Sequence, residues 1–142
     1  DLHSFPTRRS SDLYSSILDV IREENLIERA RVIGERMVSR LKGLQARLPC
    51  IGDVRGLGAM VSMELVKNRN ADAPDAELTK ALTQLAGKKG LILLSCGVRG
   101  NVIRFLAPLT IADALIDEGL QLVEECLHEL TAGSRGAVAA AG

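Results

Sequence analysis

The hydrophobic period of this chain changes at Pro49, and that change constrains the fold more than any other feature. Before Pro49, apolar residues recur at steps of three and four from Leu26 to Leu48, which is the spacing of one helix face. After it, apolar and polar side chains alternate between Ala59 and Val66, which is the period of a strand. Proline ends the first pattern because it lacks the N–H that a helix requires. The chain therefore combines helices with a sheet.

The rest of the chain continues this mixture. The patterns predict a helix over 14–48 broken near Asn25, followed by strands over 51–55 and 59–66 that are joined or bent at Gly56 and Gly58. A polar loop over 67–76 then leads to a helix over 76–89 with Asp75 as N-cap. Two more strands, over 91–95 and 102–107, precede a last helix that begins at the capping pair Thr110 and Asp113. This order predicts an α+β fold, in which helices cover a small, mostly antiparallel sheet. We expect one domain over 14–132 and a frayed tail over 133–142.

The first thirteen residues, DLHSFPTRRSSDL, do not share these patterns. They have no apolar run for a secretory signal, and their two aspartates are unusual for a transit peptide. A short basic arm is one interpretation, although two arginines make it weak. The string also matches the translation of a widely used short-read sequencing-library adapter. We therefore expect residues 1–13 to be a translated adapter artefact and the biological chain to extend upstream of Tyr14.

Composition excludes several classes of partner. Eighteen basic residues balance eighteen acidic ones, so the chain has no net charge with which to attract nucleic acid or an anionic membrane. Aromatic residues are 2% of the chain, too few for a base-stacking surface. The apolar runs are far shorter than a membrane span. We expect neither a nucleic acid nor a membrane partner.

The cysteines and histidines offer no metal site. Cys50, Cys96 and Cys126 form no CxxC pair, and the chain has only two histidines, His3 and His128. Scattered thiols are typical of a reduced, cytoplasmic protein, in which most serve as small buried side chains. No set of nucleophile, histidine and acid can be assembled either, so we expect no catalytic residue.

Two arginines are candidate anion-binding residues. Arg104 lies in the predicted strand NVIRFLAPL, on one face with Val102 and Leu106, where a guanidinium could grip a carboxylate through two parallel hydrogen bonds. An internal salt bridge explains the same position equally well. Arg55 lies among glycines, and a structural ion pair is the more common role for such a residue. The glycines of GDVRGLG match neither a dinucleotide-binding spacing nor a P-loop, and they more simply permit a bend.

Three blocks of sequence, IGDVRGLGAMVSMELV, KGLILLSCG and NVIRFLAPLTIADALIDEGLQLVEECL, resemble the C-terminal part of class III pyridoxal-phosphate aminotransferases. The members that use 4-aminobutyrate are the most similar, and the likeness runs from about residue 14 to residue 130. It implies the small C-terminal domain of a fold-type-I enzyme. Arg104 resembles the arginine that binds the carboxylate of glutamate and 2-oxoglutarate. Val54, Arg55, Gly56 and Gly58 match a family stretch with a mainly structural role near the site.

The resemblance also implies what lies outside this chain. The family's large domain supplies the lysine that binds pyridoxal 5′-phosphate, and no lysine here matches that position. We therefore expect an inactive fragment that binds no cofactor, whose partners are the missing large domain, a homodimer mate and small amino and keto acids. The implied reaction of the whole enzyme transfers the amino group of 4-aminobutyrate to 2-oxoglutarate. Transaminases of ornithine, acetylornithine or diaminobutyrate, and a stand-alone effector-binding or dimerisation module, are the alternatives.

Overall fold

The computed structural model describes residues 13, 15–17, 19 and 25–139, with side chains to residue 133. Apart from Leu13, the predicted adapter segment lies outside the described residues. The elements, in chain order, are α1 (Leu26–Arg47), β1 (Ile51–Leu57), β2 (Met60–Lys67), β3 (Asn70–Pro74), α2 (Ala76–Lys88), β4 (Leu94–Cys96), β5 (Val102–Leu106) and α3 (Asp113–Ala139). None of the described helices is both long and apolar enough to cross a membrane.

The sheet is antiparallel throughout, with strand order β1-β2-β5-β4 and β3 paired to the far end of β2. One face is buried against the helices, and its side chains alternate along each strand with those of the opposite face. The buried set is Val54, Val61, Met63, Leu65, Ile103 and Phe105. The predicted α+β class and mostly antiparallel sheet are confirmed.

The helices pack on this face through the apolar stripes seen in the sequence. α1 buries Ile33, Met37, Leu41 and Leu44, and α3 buries Ile116, Leu120, Val123 and Leu127. The predicted break before α1 is confirmed at Asn25, which adopts a left-handed conformation with φ 53°. The predicted N-cap of α2 is also confirmed, because Asp75 Oδ1 accepts a hydrogen bond from Leu78 N at 3.0 Å.

Several predicted boundaries are wrong. The polar loop over 67–76 contains strand β3, which follows a tight turn with positive φ at Asn68 and Arg69. Gly56 lies inside β1, and the turn to β2 uses Gly58, with φ 56°. Thr110 does not cap the last helix, because α3 begins at Asp113.

Two other boundaries differ by several residues. β4 begins at Leu94, three residues later than the strand predicted from residue 91. The predicted end of the folded pattern near residue 132 is too early, because α3 continues to Ala139. Helix ends carry few apolar contacts, so hydrophobic periodicity marks them poorly.

A ladder of polar contacts joins α1 to α3. Arginines at one flank of α1 meet acidic and amide groups of α3 in matching order: Arg29 with Asp113 (2.7 Å), Arg36 with Asp117 (2.6 Å), Arg40 with Gln121 (2.7 Å) and Arg47 with Glu124 (3.0 Å). These arginines border the apolar stripe of α1, where the second helix lies beside them. Because partner numbers rise together, the two helices run parallel.

Candidate carboxylate site

The sheet face that the helices leave uncovered carries the candidate site. Strand pairing arranges its side chains in three rows across the sheet. The middle row contains Arg55, Ser62, Arg104 and Leu94; one neighbouring row contains Asp53, Glu64, Val102 and Cys96; the other contains Leu57, Met60 and Leu106. The two arginines are therefore two strands apart, or about 10 Å between Cα atoms. A basic row thus lies between an acidic row and an apolar row.

Arg104 lies on this face as the sequence predicted, because Ile103 and Phe105 point into the core on either side of it. Its side chain is exposed, so it does not bear the desolvation cost that a buried arginine would. Among the described residues it forms neither a hydrogen bond nor an ion pair. The internal salt bridge that the sequence left open as an alternative is therefore absent from this part of the chain, and the guanidinium is available to an anion.

Arg55 differs from Arg104 because it has a partner on its own strand. Its Nε lies 2.9 Å from Asp53 Oδ2, and 71% of the arginine side chain remains exposed. This contact agrees with the structural ion pair that the sequence favoured for Arg55. In such an exposed position the pair adds little to stability. Its effect is electrostatic, since each charge largely neutralises the other at the edge of the middle row.

Glu64, the second acid of the face, is also engaged. Its Oε1 accepts a hydrogen bond from Asn101 Nδ2 at 3.3 Å, and the same nitrogen donates to Leu65 O at 2.9 Å. The backbone of Asn101 adds a third hydrogen bond, because its carbonyl accepts from Leu65 N at 2.8 Å. Asn101 is only 2% exposed, and nothing in the sequence pattern indicated its role. Glu64, on the neighbouring strand, and Asp53, one strand further away, are therefore the two acids of this face, and each is held by another residue.

An apolar hollow of about 260 Å³ opens beside Arg104. It lies between the β4–β5 edge of the sheet and the first turns of α3, and Leu94, Leu106 and Leu115 line it with 58%, 68% and 56% of their surfaces exposed. A charged anchor next to such a surface suits a ligand with an anionic end and an apolar body. Unpartnered leucines of this size are also typical of a surface that another protein part covers.

The described residues do not fit a pyridoxal phosphate site. All five lysines are exposed: Lys42, Lys67, Lys80, Lys88 and Lys89. An aldehyde-binding lysine needs a lowered pKa, whereas a hydrogen bond to Glu129 raises the pKa of Lys89. The part of the chain that the structure describes also holds no group of three metal-ligating side chains.

The thiols are all free, as their spacing predicted. Burial raises the pKa of Cys50 and of Cys126, which makes both poor nucleophiles. Cys96 is only half-buried and lies in the acidic row of the open face.

Comparison with solved structures places this arrangement among transaminases. A Bacillus anthracis aminotransferase superposes with a TM-score of 0.72 and 27% identity, covering 79% of this chain and 26% of that one. A transaminase solved with L-alanine gives a TM-score of 0.71 and 29% identity, over 83% and 27% of the two chains. A sequence model of the class III aminotransferases matches residues 11–127, and the chain belongs to that family. Class III aminotransferases in general use pyridoxal phosphate.

Curated relatives narrow the likeness to enzymes of ω-amino acids. The 5-aminovalerate aminotransferase DavT of Pseudomonas aeruginosa is 49% identical over 115 residues, which are 81% of this chain and 27% of that protein. The 4-aminobutyrate aminotransferase GabT of Escherichia coli is 45% identical over 113 residues, 80% and 26% of the two chains. The 4-aminobutyrate aminotransferase of Mycobacterium tuberculosis strain H37Rv is 50% identical over 110 residues, 78% and 24% of the two chains. This chain spans about a quarter of the length of these relatives.

Proposed function

We propose that this chain is the substrate-carboxylate-binding part of an ω-amino acid transaminase, with Arg104 as the residue that binds the carboxylate. The observation that carries the proposal is an exposed arginine that pairs with no acid among the described residues and lies on the sheet face that the helices leave open. A guanidinium held on a strand presents a fixed pair of donors, which orients a carboxylate as well as attracting it. The neighbouring apolar hollow would accept the methylene chain of the substrate.

The amine donor of the whole enzyme is, in this proposal, an ω-amino acid of four or five carbons. The relatives that support it are named for 4-aminobutyrate and for 5-aminovalerate at similar identities, so both chain lengths belong to the proposal. With 4-aminobutyrate, the amino group passes through the cofactor to 2-oxoglutarate, which yields succinate semialdehyde and glutamate. Arg104 would hold the carboxylate of the keto acid while the amino group is delivered.

This chain is, in the same proposal, inactive by itself. The support is that none of its lysines is desolvated, so the cofactor and its chemistry must come from a large domain, with a homodimer mate completing the enzyme. Two surfaces suit such partners: the open sheet face, and a groove of about 1020 Å³ between α1 and β1, whose borders include Ile27, a side chain that is 78% exposed. Free, scattered thiols support a cytoplasmic location.

The carboxylate site can be tested in this chain with ¹⁵N-labelled arginine. The Nε–Hε signal of Arg104 is assigned by its loss in Arg104→Lys, and glutarate is added as a stable analogue of 2-oxoglutarate. We expect the Arg104 signal to move with saturation, and the signal of Arg99 to stay in place, because Arg99 donates to Ala71 O on another part of the surface. Equal movement of both signals would mean unspecific screening and would count against the site.

The inactivity of this chain and the role of Arg104 in the longer enzyme are tested in two separate assays. The chain with added pyridoxal phosphate, 4-aminobutyrate and 2-oxoglutarate should form no glutamate above the rate of the cofactor alone; faster turnover would disprove the fragment proposal. In the longer enzyme that contains this domain, Arg104→Lys should raise the KM for 2-oxoglutarate more than it weakens cofactor binding. Equal loss of both would argue for a structural role instead.

A further inference from the structure

Glu64 is the obvious internal competitor for Arg104. In the sheet register Glu64 lies opposite Val102, two residues before Arg104, so Glu64 and Arg104 are diagonal neighbours on the same face. Diagonal Cα atoms are about 7–8 Å apart, within reach of these two long side chains. An exposed glutamate and arginine at that distance would ordinarily pair. In this structure they do not, although Glu64 is part-exposed and has no basic partner among the described residues.

The hydrogen bond from Asn101 explains why. Asn101 Nδ2 donates to both Glu64 Oε1 and Leu65 O, and the backbone carbonyl of Asn101 accepts from Leu65 N, so the residue is held by three hydrogen bonds. With 2% exposure it has no room to swing away. The Glu64 carboxylate is therefore drawn toward the start of β5 and away from the middle of the strand. Asp53, the other acid of the row, is occupied by Arg55.

We propose that Asn101 is a positioning residue for the carboxylate site: by holding Glu64, it keeps the guanidinium of Arg104 free for the substrate. This inference rests on the proposed function, since it assigns Asn101 to the same site. When the Asn101 amide is lost, Glu64 turns to Arg104 and competes with the substrate carboxylate. Surface ion pairs contribute about 0.2–1 kcal/mol, which corresponds to roughly a 1.4- to fivefold loss of carboxylate affinity.

The first test needs no ligand. Asn101→Ala should move the Arg104 Nε–Hε signal, because Glu64 becomes its partner, and Asn101→Ala/Glu64→Gln should return the signal to its wild-type position. Glu64→Gln alone should leave it in place. A merely structural role for Asn101 predicts no such rescue, because a glutamine at position 64 does nothing to restore the lost bonds to Leu65.

The second test measures glutarate affinity in the same four proteins. We expect Asn101→Ala to bind glutarate roughly 1.4- to fivefold more weakly and the double variant to bind it as wild type does. A wild-type Arg104 signal that ignores glutarate would overturn the proposed function and this role with it. If Asn101→Ala binds glutarate as tightly as wild type does, or if adding Glu64→Gln does not restore the affinity, only the role of Asn101 is overturned. Asn101→Ser, whose hydroxyl can still bind Leu65 O, replaces the alanine variant if that variant does not fold.

Discussion

Gly34 is the position where adding a single methyl group should damage this fold most clearly. Gly34 is buried in the middle of α1, where the helix crosses the β1–β2 turn. A Cβ atom at this position would lie 1.8 Å from the carbonyl oxygen of Gly58 and 2.9 Å from its carbon. Both atoms belong to the backbone, so no side chain can rotate away. Gly34→Ala would therefore require α1 and the turn to separate by more than 1 Å, which would loosen the contact between Ile33 and the sheet.

Two opposing contributions decide the magnitude. Overpacking a close contact costs about 1–3 kcal/mol, and a backbone clash belongs at the upper end of that range. Alanine gains about 1 kcal/mol over glycine inside a helix. We expect Gly34→Ala to lower the free energy of unfolding by about 2 kcal/mol.

Gly43→Ala is the matched control for this prediction. Gly43 lies on the same helix, and a Cβ atom there would meet nothing within 4 Å. Only the propensity gain applies, so this variant should be about 1 kcal/mol more stable than wild type. Urea unfolding followed by far-UV circular dichroism measures both. If Gly34→Ala proved as stable as Gly43→Ala, the close approach of α1 to the turn would be refuted.

Three further changes each test the environment of a single side chain. A hydrogen bond from Arg36 holds the pKa of Asp117 below its ordinary value. Wild type should therefore be more stable than Asp117→Asn at neutral pH, and this advantage should fade as the pH falls below about 4. Urea unfolding at each pH measures the difference. Asp75→Ala should cost about 1 kcal/mol, because Leu78 N loses its cap, while Asp75→Asn should cost much less. Cys96 should react with a thiol reagent first, and Cys96→Ser should abolish the fast phase.

Each of these has a contradicting outcome. If the stability difference between wild type and Asp117→Asn persists at the lowest pH, the ion pair with Arg36 is not its source. Equal losses in the alanine and asparagine variants of Asp75 would rule out capping. A fast thiol phase that survives Cys96→Ser would show that one of the buried thiols is accessible in solution.

Local chemistry was the part of this fold that the sequence could predict. The period change at Pro49, the break at Asn25 and the Asp75 cap depend on neighbouring residues, and all three are confirmed. β3 was missed because its five residues, NADAP, include no large or β-branched apolar side chain. It exists because a turn through Asn68 returns the chain along β2. Asparagine tolerates the left-handed conformation, so Asn68 was the available signal.

The candidate site likewise has one feature that the sequence could predict and others that it could not. Strand alternation was enough to place Arg104 opposite the core, because alternation is a property of one strand. Its neighbours could not be predicted, since the row with Arg55 and Ser62 depends on β5 pairing with β2, a strand about forty residues earlier. The Asn101–Glu64 contact has the same long-range origin. The role of Arg104 in substrate binding remains a prediction from the family resemblance.

The parallel course of α1 and α3 has an electrostatic consequence. Peptide dipoles give each helix a partial positive charge at its N-terminus, and parallel neighbours bring two such charges together. Asp113 lies in the first turn of α3 and contacts Arg29, which lies in the first turn of α1, and Arg29 in turn donates to Ile111 O just before α3 begins. A carboxylate is thus located where two like helix ends meet. Asp113 therefore offsets the dipole repulsion between the two helices, in addition to pairing with an arginine.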